Sequence, residues 1–482
     1  MYYINENIKN LYRTLGDQNN RSGYLRLDWN ENPIGLPKEF VDSITITPEE
    51  IAMYPETQPF LETLGNYLGL QQYEPDKCIC LTNGSIEGIR YIIEAFTGEG
   101  GRVVGISPGY PMYKVFCEMY NREWVDVKYD GYNVDVRDLL TKLTKDTQLL
   151  CLMNPNNPIG DCFSDEDIDL IIKLCRELEI TVLIDEAYYL FNKNTFIKYA
   201  IENDNVFITR TFSKLFSMAG CRLGFVVGRP DGILLIKKLC DPDNVNFFAL
   251  KVAKKLLESP DTIEYLLKTF NDGKEFLLKE LQKHNYKYID TNGNFILIRP
   301  HCNAEHIVSR MKNEKNILIR YYKNIDDSDG YLRVSIADKG SMKKFINALI
   351  EVDETRVITY GTFDLFHYGH ERILERAKEL GDKLIIGVTE KDYDIARGKT
   401  NVIQSLEERI ENVKPYADKV ITEKWFGQKE KDIEKYAIDI FVLGSDWEGK
   451  YDYLEKYGCK VIYLPRTEGI SSTLLREQLK EK

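Results

Sequence analysis

The run Arg356-Val-Ile-Thr-Tyr-Gly-Thr-Phe-Asp-Leu-Phe-His-Tyr-Gly-His370 restricts this chain more than any other feature of its sequence. Its first five residues form an apolar stretch suited to a strand. Glu371-Arg-Ile-Leu-Glu-Arg-Ala-Lys-Glu-Leu380 then spaces its apolar residues at helical intervals. A strand, a glycine-containing turn and a helix are therefore expected. Turn amides and the positive end of the helix would meet at one place, which is a natural phosphate site. His367 and His370, from a chain with five histidines, stand there. Imidazole groups at that point can donate to a triphosphate as its charge builds, so nucleotide chemistry is expected without a P-loop lysine. Metal ligation is the competing reading. No cysteine or further histidine lies nearby to complete a site, and no metal is assigned to the histidines.

Three later blocks extend the pattern: Ser405-Leu-Glu-Glu-Arg409, Gly444-Ser-Asp-Trp-Glu-Gly-Lys450 and Arg466-Thr-Glu-Gly-Ile-Ser-Ser-Thr473. From Arg356 to about Leu479 the chain resembles the nucleotidyltransferase superfamily, and within it glycerol-3-phosphate cytidylyltransferase. That resemblance implies a Rossmann-like domain over residues 356–482 that uses CTP with Mg²⁺. It makes His367 and His370 catalytic. It assigns nucleotide binding to Gly361, Thr362, Phe363, Arg397, Lys399, Arg409, Asp446, Arg466, Ser471, Ser472 and Thr473. Read from the residues alone, Arg397 and Lys399 lie in a polar, glycine-containing loop, where they either clamp phosphates or remain solvated charges. Ser471, Ser472 and Thr473 precede Leu474-Leu-Arg-Glu-Gln-Leu479 and are N-cap candidates, with or without a phosphate. One position departs from the pattern. Ser445 stands where the relatives carry the first of two aspartates. A phospho-alcohol other than glycerol 3-phosphate is expected, an amino one whose ammonium meets Asp446 or Glu448. The alternative is that Ser445 does not touch the alcohol.

Residues 1–352 alternate strand-like and helix-like segments, as in an α/β fold. Leu150-Cys-Leu-Met-Asn154 and Thr181-Val-Leu-Ile-Asp185 are short apolar runs ending in a polar residue, where an α/β sheet places its site. Between them, Ser164-Asp-Glu-Asp167 precedes the apolar-periodic Ile168-Asp-Leu-Ile-Ile-Lys-Leu-Cys175, a helix start. Lys214 lies in Thr211-Phe-Ser-Lys-Leu-Phe-Ser-Met-Ala-Gly-Cys-Arg-Leu-Gly-Phe225, downstream of Asn154-Pro-Asn-Asn-Pro-Ile-Gly160 and Asp185-Glu-Ala-Tyr188. This set resembles the fold-type I pyridoxal-phosphate (PLP) enzymes, most closely histidinol-phosphate aminotransferase and threonine-phosphate decarboxylase.

The resemblance implies a large and a small domain around PLP. Lys214 would be the covalent anchor, and Asp185 would keep the ring nitrogen protonated. Asn157 and Tyr188 would face the ring oxygen, with Tyr110 stacked on the ring. Gly84, Ser85, Thr211, Ser213 and Arg222 would hold the phosphate. Tyr54 would reach the phosphate of a partner subunit, which implies a homodimer. Asn32, Arg320 and Arg333 would bind substrate, Arg333 through its carboxylate.

The ten cysteines are scattered, with no disulfide framework and no C-x-x-C pair, so a reducing cytoplasm is expected. No membrane span or signal-peptide core is legible. A net charge of -12 argues against a general nucleic-acid binder. The short polar joint near Glu351-Val-Asp-Glu-Thr355 would hold the two domains close.

Two enzymes on one chain suggest consecutive steps. One route transaminates dihydroxyacetone phosphate, with glutamate as amino donor, to serinol phosphate. The other decarboxylates phosphoserine to phosphoethanolamine. Either product would then meet CTP and become a CDP-amino alcohol for decorating a surface (capsule) polysaccharide. Both routes use the same lysine and arginines, and transamination is favoured. A PLP-binding sensor is the reading from another class. No basic helix-turn-helix pattern supports it.

Overall fold

A computed structural model describes residues 2, 4–11, 21–323, 325 and 330–466. The chain divides into two compact units. One comprises Met1–Arg299 with Ile317–Ile346, the other Pro300–Asn316 with Asn347–Lys482.

Strands are numbered in chain order. In the first unit, β1 (Leu25–Arg26) pairs in parallel with β12 (Ile317–Leu318). The main sheet takes β2 (Ile79–Thr82), β3 (Arg102–Ser107), β4 (Glu123–Asp130), β5 (Asn133–Val134), β6 (Thr147–Met153), β7 (Thr181–Asp185), β8 (Val206–Thr211) and β9 (Gly224–Val227). Among the described residues its order is β2-β9-β8-β7-β6-β3-β4-β5. The contiguous block β4-β3-β6-β7-β8 is parallel. Successive residues of these strands enter different cores. Leu150, Leu152, Val182 and Ile184 join one cluster, while Leu149, Cys151 and Leu183 join the other. A sheet covered on both faces needs continuous apolar strands, which explains the unbroken runs at 150–153 and 181–184.

The expected helix start between them is present. Helix Asp165–Glu177 begins with a capping box, in which Ser164 Oγ accepts from the Asp167 amide and Asp167 Oδ2 accepts from the Ser164 amide. A smaller antiparallel sheet, β10 (Lys287–Asp290), β11 (Phe295–Arg299), β13 (Arg320–Tyr322) and β14 (Tyr331–Ser335), has the order β10-β11-β14-β13.

The second unit holds a parallel sheet of β15 (Arg356–Gly361), β16 (Lys383–Thr389), β17 (Lys419–Glu423), β18 (Ile440–Gly444) and β19 (Lys460–Leu464), in the order β17-β16-β15-β18-β19. The order reverses beside β15, so a crevice is expected beyond its carboxyl end. The helix after β15 runs from Tyr368 to Lys378, three residues earlier than its apolar periodicity predicts. His367 causes the shift, because its Nδ1 accepts the Gly369 amide at 3.0 Å and caps the helix.

Helix Ala304–Lys315 also belongs to this unit. It carries Arg310, which is 1% exposed. The guanidinium donates to the carbonyls of Val352 at 2.9 Å, Glu354 at 2.7 Å and Ala437, and to Asp439 Oδ2 at 2.7 Å. His306 Nδ1 lies 2.7 Å from the other Asp439 oxygen. Residues 352–354, the expected joint, are thus pinned by a buried cation. No helix among the described residues is long and apolar enough to cross a membrane.

Candidate active sites

In the first unit, the carboxyl ends of β6, β7 and β8 open into a cavity of about 1090 Å³. Lys214 lines it just beyond β8, and its Nζ donates to the Trp29 carbonyl at 3.0 Å. Burial, with the charges of Arg333 and Arg222, pushes its ammonium down to about 8 against the opposing pull of Glu31 and Asp185. At neutral pH that leaves roughly a tenth of the molecules with a free amine, against roughly one in three thousand for an ordinary lysine. Asp185, 2% exposed at the end of β7, accepts from Thr209 Oγ1 at 3.0 Å and Tyr113 OH at 3.2 Å. Burial lifts its carboxyl to about 6, although both bonds and Lys214 oppose the lift. A buried carboxylate of this kind gains most from a cationic N–H partner.

One end of the cavity forms an anion cup. Gly84 precedes the twelve-residue helix Ser85–Phe96 with φ of +75°. A Cβ there would come within 2.7 Å of Arg222 Nη2. A Cβ on Gly224 would collide with the Ser85 amide nitrogen. Thr211 Oγ1 accepts the Ser213 amide at 3.1 Å and donates to Ser213 Oγ at 2.9 Å. A helix N-terminus, two hydroxyls and a guanidinium thus converge on one point, as a phosphate requires. The donor set fits PLP: an anion cup, a neutralisable amine and a buried carboxylate surround one cavity, and Tyr110 and Tyr188 line it.

Asn157 and the three expected substrate residues also line this cavity. Asn32 donates to Ser217 Oγ at 2.7 Å. Arg320 is exposed at its edge. Arg333 is 3% exposed and donates to Asn157 Oδ1 at 2.6 Å, Tyr322 OH at 3.2 Å and the Asp28 carbonyl. Its Nε is buried with no partner among the described residues. Tyr54 does not line this cavity and is 82% exposed. Sequence reasoning missed Tyr113, Thr209, Trp29 and Asn30. Thr209 carried a signal, being a polar residue inside the apolar run Val206-Phe-Ile-Thr209.

In the second unit, Thr362 is the hub. Its Oγ1 donates to Asp394 Oδ1 at 3.1 Å and accepts from Arg397 Nη2 at 2.7 Å and Lys399 Nζ at 2.8 Å. The two loop cations therefore converge on the turn after Gly361. Fully buried Asp394 balances them, bonded also to Thr389 Oγ1 at 2.8 Å and Arg397 Nη2 at 2.6 Å.

The rings of His367 and His370 stack at 3.9 Å and 17°. Because His367 Nδ1 accepts a backbone N–H, the neutral ring carries its proton on Nε2. His370 packs against Phe363 and Phe366, and its Nδ1 is buried with no hydrogen-bond partner among the described residues. Burial, reinforced by His367 and Lys399, pushes His370 down to about 3, while burial also lowers His367. Both shifts favour the neutral imidazole, in which each ring keeps one N–H to donate.

Two of the expected nucleotide residues are buried in this structure. Phe363 was expected to contact nucleotide, but its ring is 4% exposed in the core cluster with Val357 and Leu374, and only its backbone is left for a ligand. Arg409 was expected at the nucleotide as well. It is 1% exposed and donates to the carbonyls of Thr362 at 2.9 Å and Thr389 at 2.8 Å. Its guanidinium satisfies those carbonyls and so supports the turn. Asp446 follows β18 in a short turn, with Arg466 Nη1 4.0 Å from Oδ1 and both side chains mostly exposed. Ser471, Ser472 and Thr473 lie outside the described residues. Among those described, no cluster of three or more His, Cys, Asp or Glu could hold a metal.

Comparison with known proteins matches the two parts of the chain to two enzyme families. Residues 23–349 match the family model for aminotransferase class I and II, and residues 358–478 match a cytidylyltransferase-like model. The histidinol-phosphate aminotransferase of Hydrogenobaculum sp. is 32% identical over 335 residues, covering 68% of this chain and 93% of its own. The glycerol-3-phosphate cytidylyltransferase of Bacillus subtilis is 49% identical over 127 residues, which is 26% of this chain and 96% of its own. Among solved structures, the histidinol-phosphate aminotransferase of Clostridium acetobutylicum superposes with a TM-score of 0.61 at 28% identity, covering 68% of this chain and 99% of its own. That of Sinorhizobium meliloti, in complex with pyridoxal-5'-phosphate, gives 0.66 at 21% identity, covering 73% of this chain and 98% of its own. The chain belongs to the aminotransferase class I and II family and continues into a cytidylyltransferase-like domain, so that one polypeptide carries both enzymes.

Proposed function

We propose that this chain makes a CDP-amino alcohol in two steps. The first transfers the amine of glutamate to dihydroxyacetone phosphate, giving serinol phosphate. The second joins serinol phosphate to the cytidylyl group of CTP and releases pyrophosphate. The observation that carries the first step is the Lys214–Asp185 axis in one cavity, with an anion cup at one end and the unburied Arg320 at its edge. The cup takes the phosphate of the cofactor, and Arg320 is left for the phosphate of a small substrate. Bound PLP supplies the electron sink for amine exchange. Lys214, poised near neutral, moves the proton at the reacting carbon. Asp185 holds a proton at the ring nitrogen, and Arg333, on the cavity wall, meets the carboxylate of the amino donor. Tyr54, exposed on its own chain, reaches the cup of a second copy in a homodimer.

For the second step, a phosphate oxygen of the amino alcohol attacks the α-phosphorus of CTP, and the bond to the β-phosphate oxygen breaks. Mg²⁺, Arg397 and Lys399 neutralise the triphosphate. Neutral His367 and His370 donate to it as charge develops. Ser445, a neutral hydroxyl beside Asp446, favours an ammonium-bearing alcohol over glycerol 3-phosphate. The product is a donor for surface polysaccharide decoration. The test compares kcat/KM for serinol phosphate, phosphoethanolamine and glycerol 3-phosphate at saturating CTP. Serinol phosphate should lead. A clear preference for glycerol 3-phosphate would break the proposed coupling of the two steps.

A further inference from the structure

We propose that Asn30 is a positioning residue that sets the direction of the Tyr188 hydroxyl, so that the phenolic proton is presented to the cavity. The proposal rests on the PLP reading above. Asn30 is 1% exposed and adopts φ of +56°, a conformation that asparagine and aspartate tolerate better than most residues. It is held on three sides. Its amide nitrogen donates to Ser335 Oγ at 3.0 Å, and its carbonyl accepts from Asn294 Nδ2 at 2.9 Å. Its Oδ1 lies 3.1 Å from Ser335 Oγ. The remaining group, Nδ2, donates to Tyr188 OH at 2.9 Å.

Direction follows from counting protons. A phenol has one O–H, and burial makes the Tyr188 phenol a weaker acid than usual, so the proton stays on. Asn30 supplies a donor, so the Tyr188 oxygen is used there as an acceptor. Among the described residues no acceptor takes the Tyr188 proton. It is left for the cavity, where Tyr188 stands beside Lys214, with Nζ 5.6 Å from the ring centre. A donor beside the ring oxygen of a bound cofactor stabilises negative charge there and lowers the pH at which its visible absorbance titrates. Asn30 would thereby tune a group it does not touch. Through Ser335 it also ties that group to the strand of Arg333, and Asn32 lies two residues beyond it.

The test is a pH titration of visible absorbance on PLP-loaded, full-length protein without substrate. It compares wild type, Tyr188→Phe, Asn30→Asp, Asn30→Ala and the Tyr188→Phe/Asn30→Asp double variant. Aspartate fits the backbone of Asn30 but offers only acceptors, so the Tyr188 proton turns toward residue 30. Asn30→Asp and Tyr188→Phe should each raise the titration midpoint by about one pH unit, the scale of one hydrogen bond to a charged group. The double variant should rise no further. Asn30→Ala, which removes the donor without adding an acceptor, should shift the midpoint less than Asn30→Asp. A wild-type midpoint in Asn30→Asp while Tyr188→Phe is shifted would overturn the inference, as would Asn30→Ala moving as far as Asn30→Asp. A loaded wild-type protein with no titrating visible band would overturn the cofactor reading itself, and this inference with it.

Discussion

At the scale of single residues, the first unit sets its chemistry by burying charge. Lys214 and Asp185 are both held against their preferred ionisation. Lys214→Ala should abolish the cofactor's visible absorbance and all amine transfer, and leave CTP-dependent activity largely intact. An unchanged band in that variant would remove Lys214 from its role. Asp185 carries a stability signature too. Its folded value, about 6, lies above the ordinary aspartate value of 3.8. The folded state therefore binds more protons between those values, and stability falls as pH rises through them. In cofactor-free protein at pH 7 to 8, Asp185→Asn should raise stability by on the order of 1–2 kcal/mol while destroying amine transfer. A lower melting temperature would contradict the account.

In the second unit, His370→Ala should cut turnover with CTP by on the order of 10²–10³-fold, far more than it raises KM. Because His370 is held near 3, kcat/KM should show no acid limb near pH 6.5 that His370→Asn removes. Most site residues were legible because each belongs to a short contiguous block. Tyr113 and Asn30 were not. A buried partner is defined by what folds against it, and the partner of Asn30 lies 158 residues away. Phe363 and Arg409 sit inside such blocks too, yet position in a motif does not tell a side chain that touches ligand from one that props the backbone.

At the scale of elements, strands at 147–153 and 181–185 and the helix from Asp165 follow their apolar patterns closely. The capping box there should contribute about 1 kcal/mol, so Ser164→Ala should lower stability by that amount in a denaturant titration. The helix at 368–378 was placed late because His367 was read as chemistry alone, when it also caps. Helix Ala304–Lys315 was less legible still. Amphipathic spacing shows that a helix buries one face, not which core receives it. Asp439 answers that question for Arg310 and His306. Burial pushes its carboxyl up, but the bond from His306 and the charge of Arg310 outweigh that and hold it below the usual range. Asp439→Ala leaves a buried guanidinium without its counter-charge, at a cost of about 3–5 kcal/mol. Urea unfolding followed through Trp425 and Trp447 should show the second unit melting early. An unchanged midpoint would mean the cluster contributes nothing.

At the scale of the whole molecule, the order of motif blocks made two successive enzymes readable from the sequence. Pro300–Asn316 lies inside the span matched by the aminotransferase family, yet it packs within the second unit. What joins the two enzymes functionally is the phosphorylated amino alcohol, the proposed product of one and substrate of the other. Incubating the full chain with PLP, dihydroxyacetone phosphate, ¹⁵N-glutamate, CTP and Mg²⁺, and reading nucleotide products by mass, tests that claim most directly. The account predicts CDP-serinol carrying one ¹⁵N. No labelled CDP product, or a CDP-amino alcohol formed only when phosphoserine replaces dihydroxyacetone phosphate and glutamate, would contradict it.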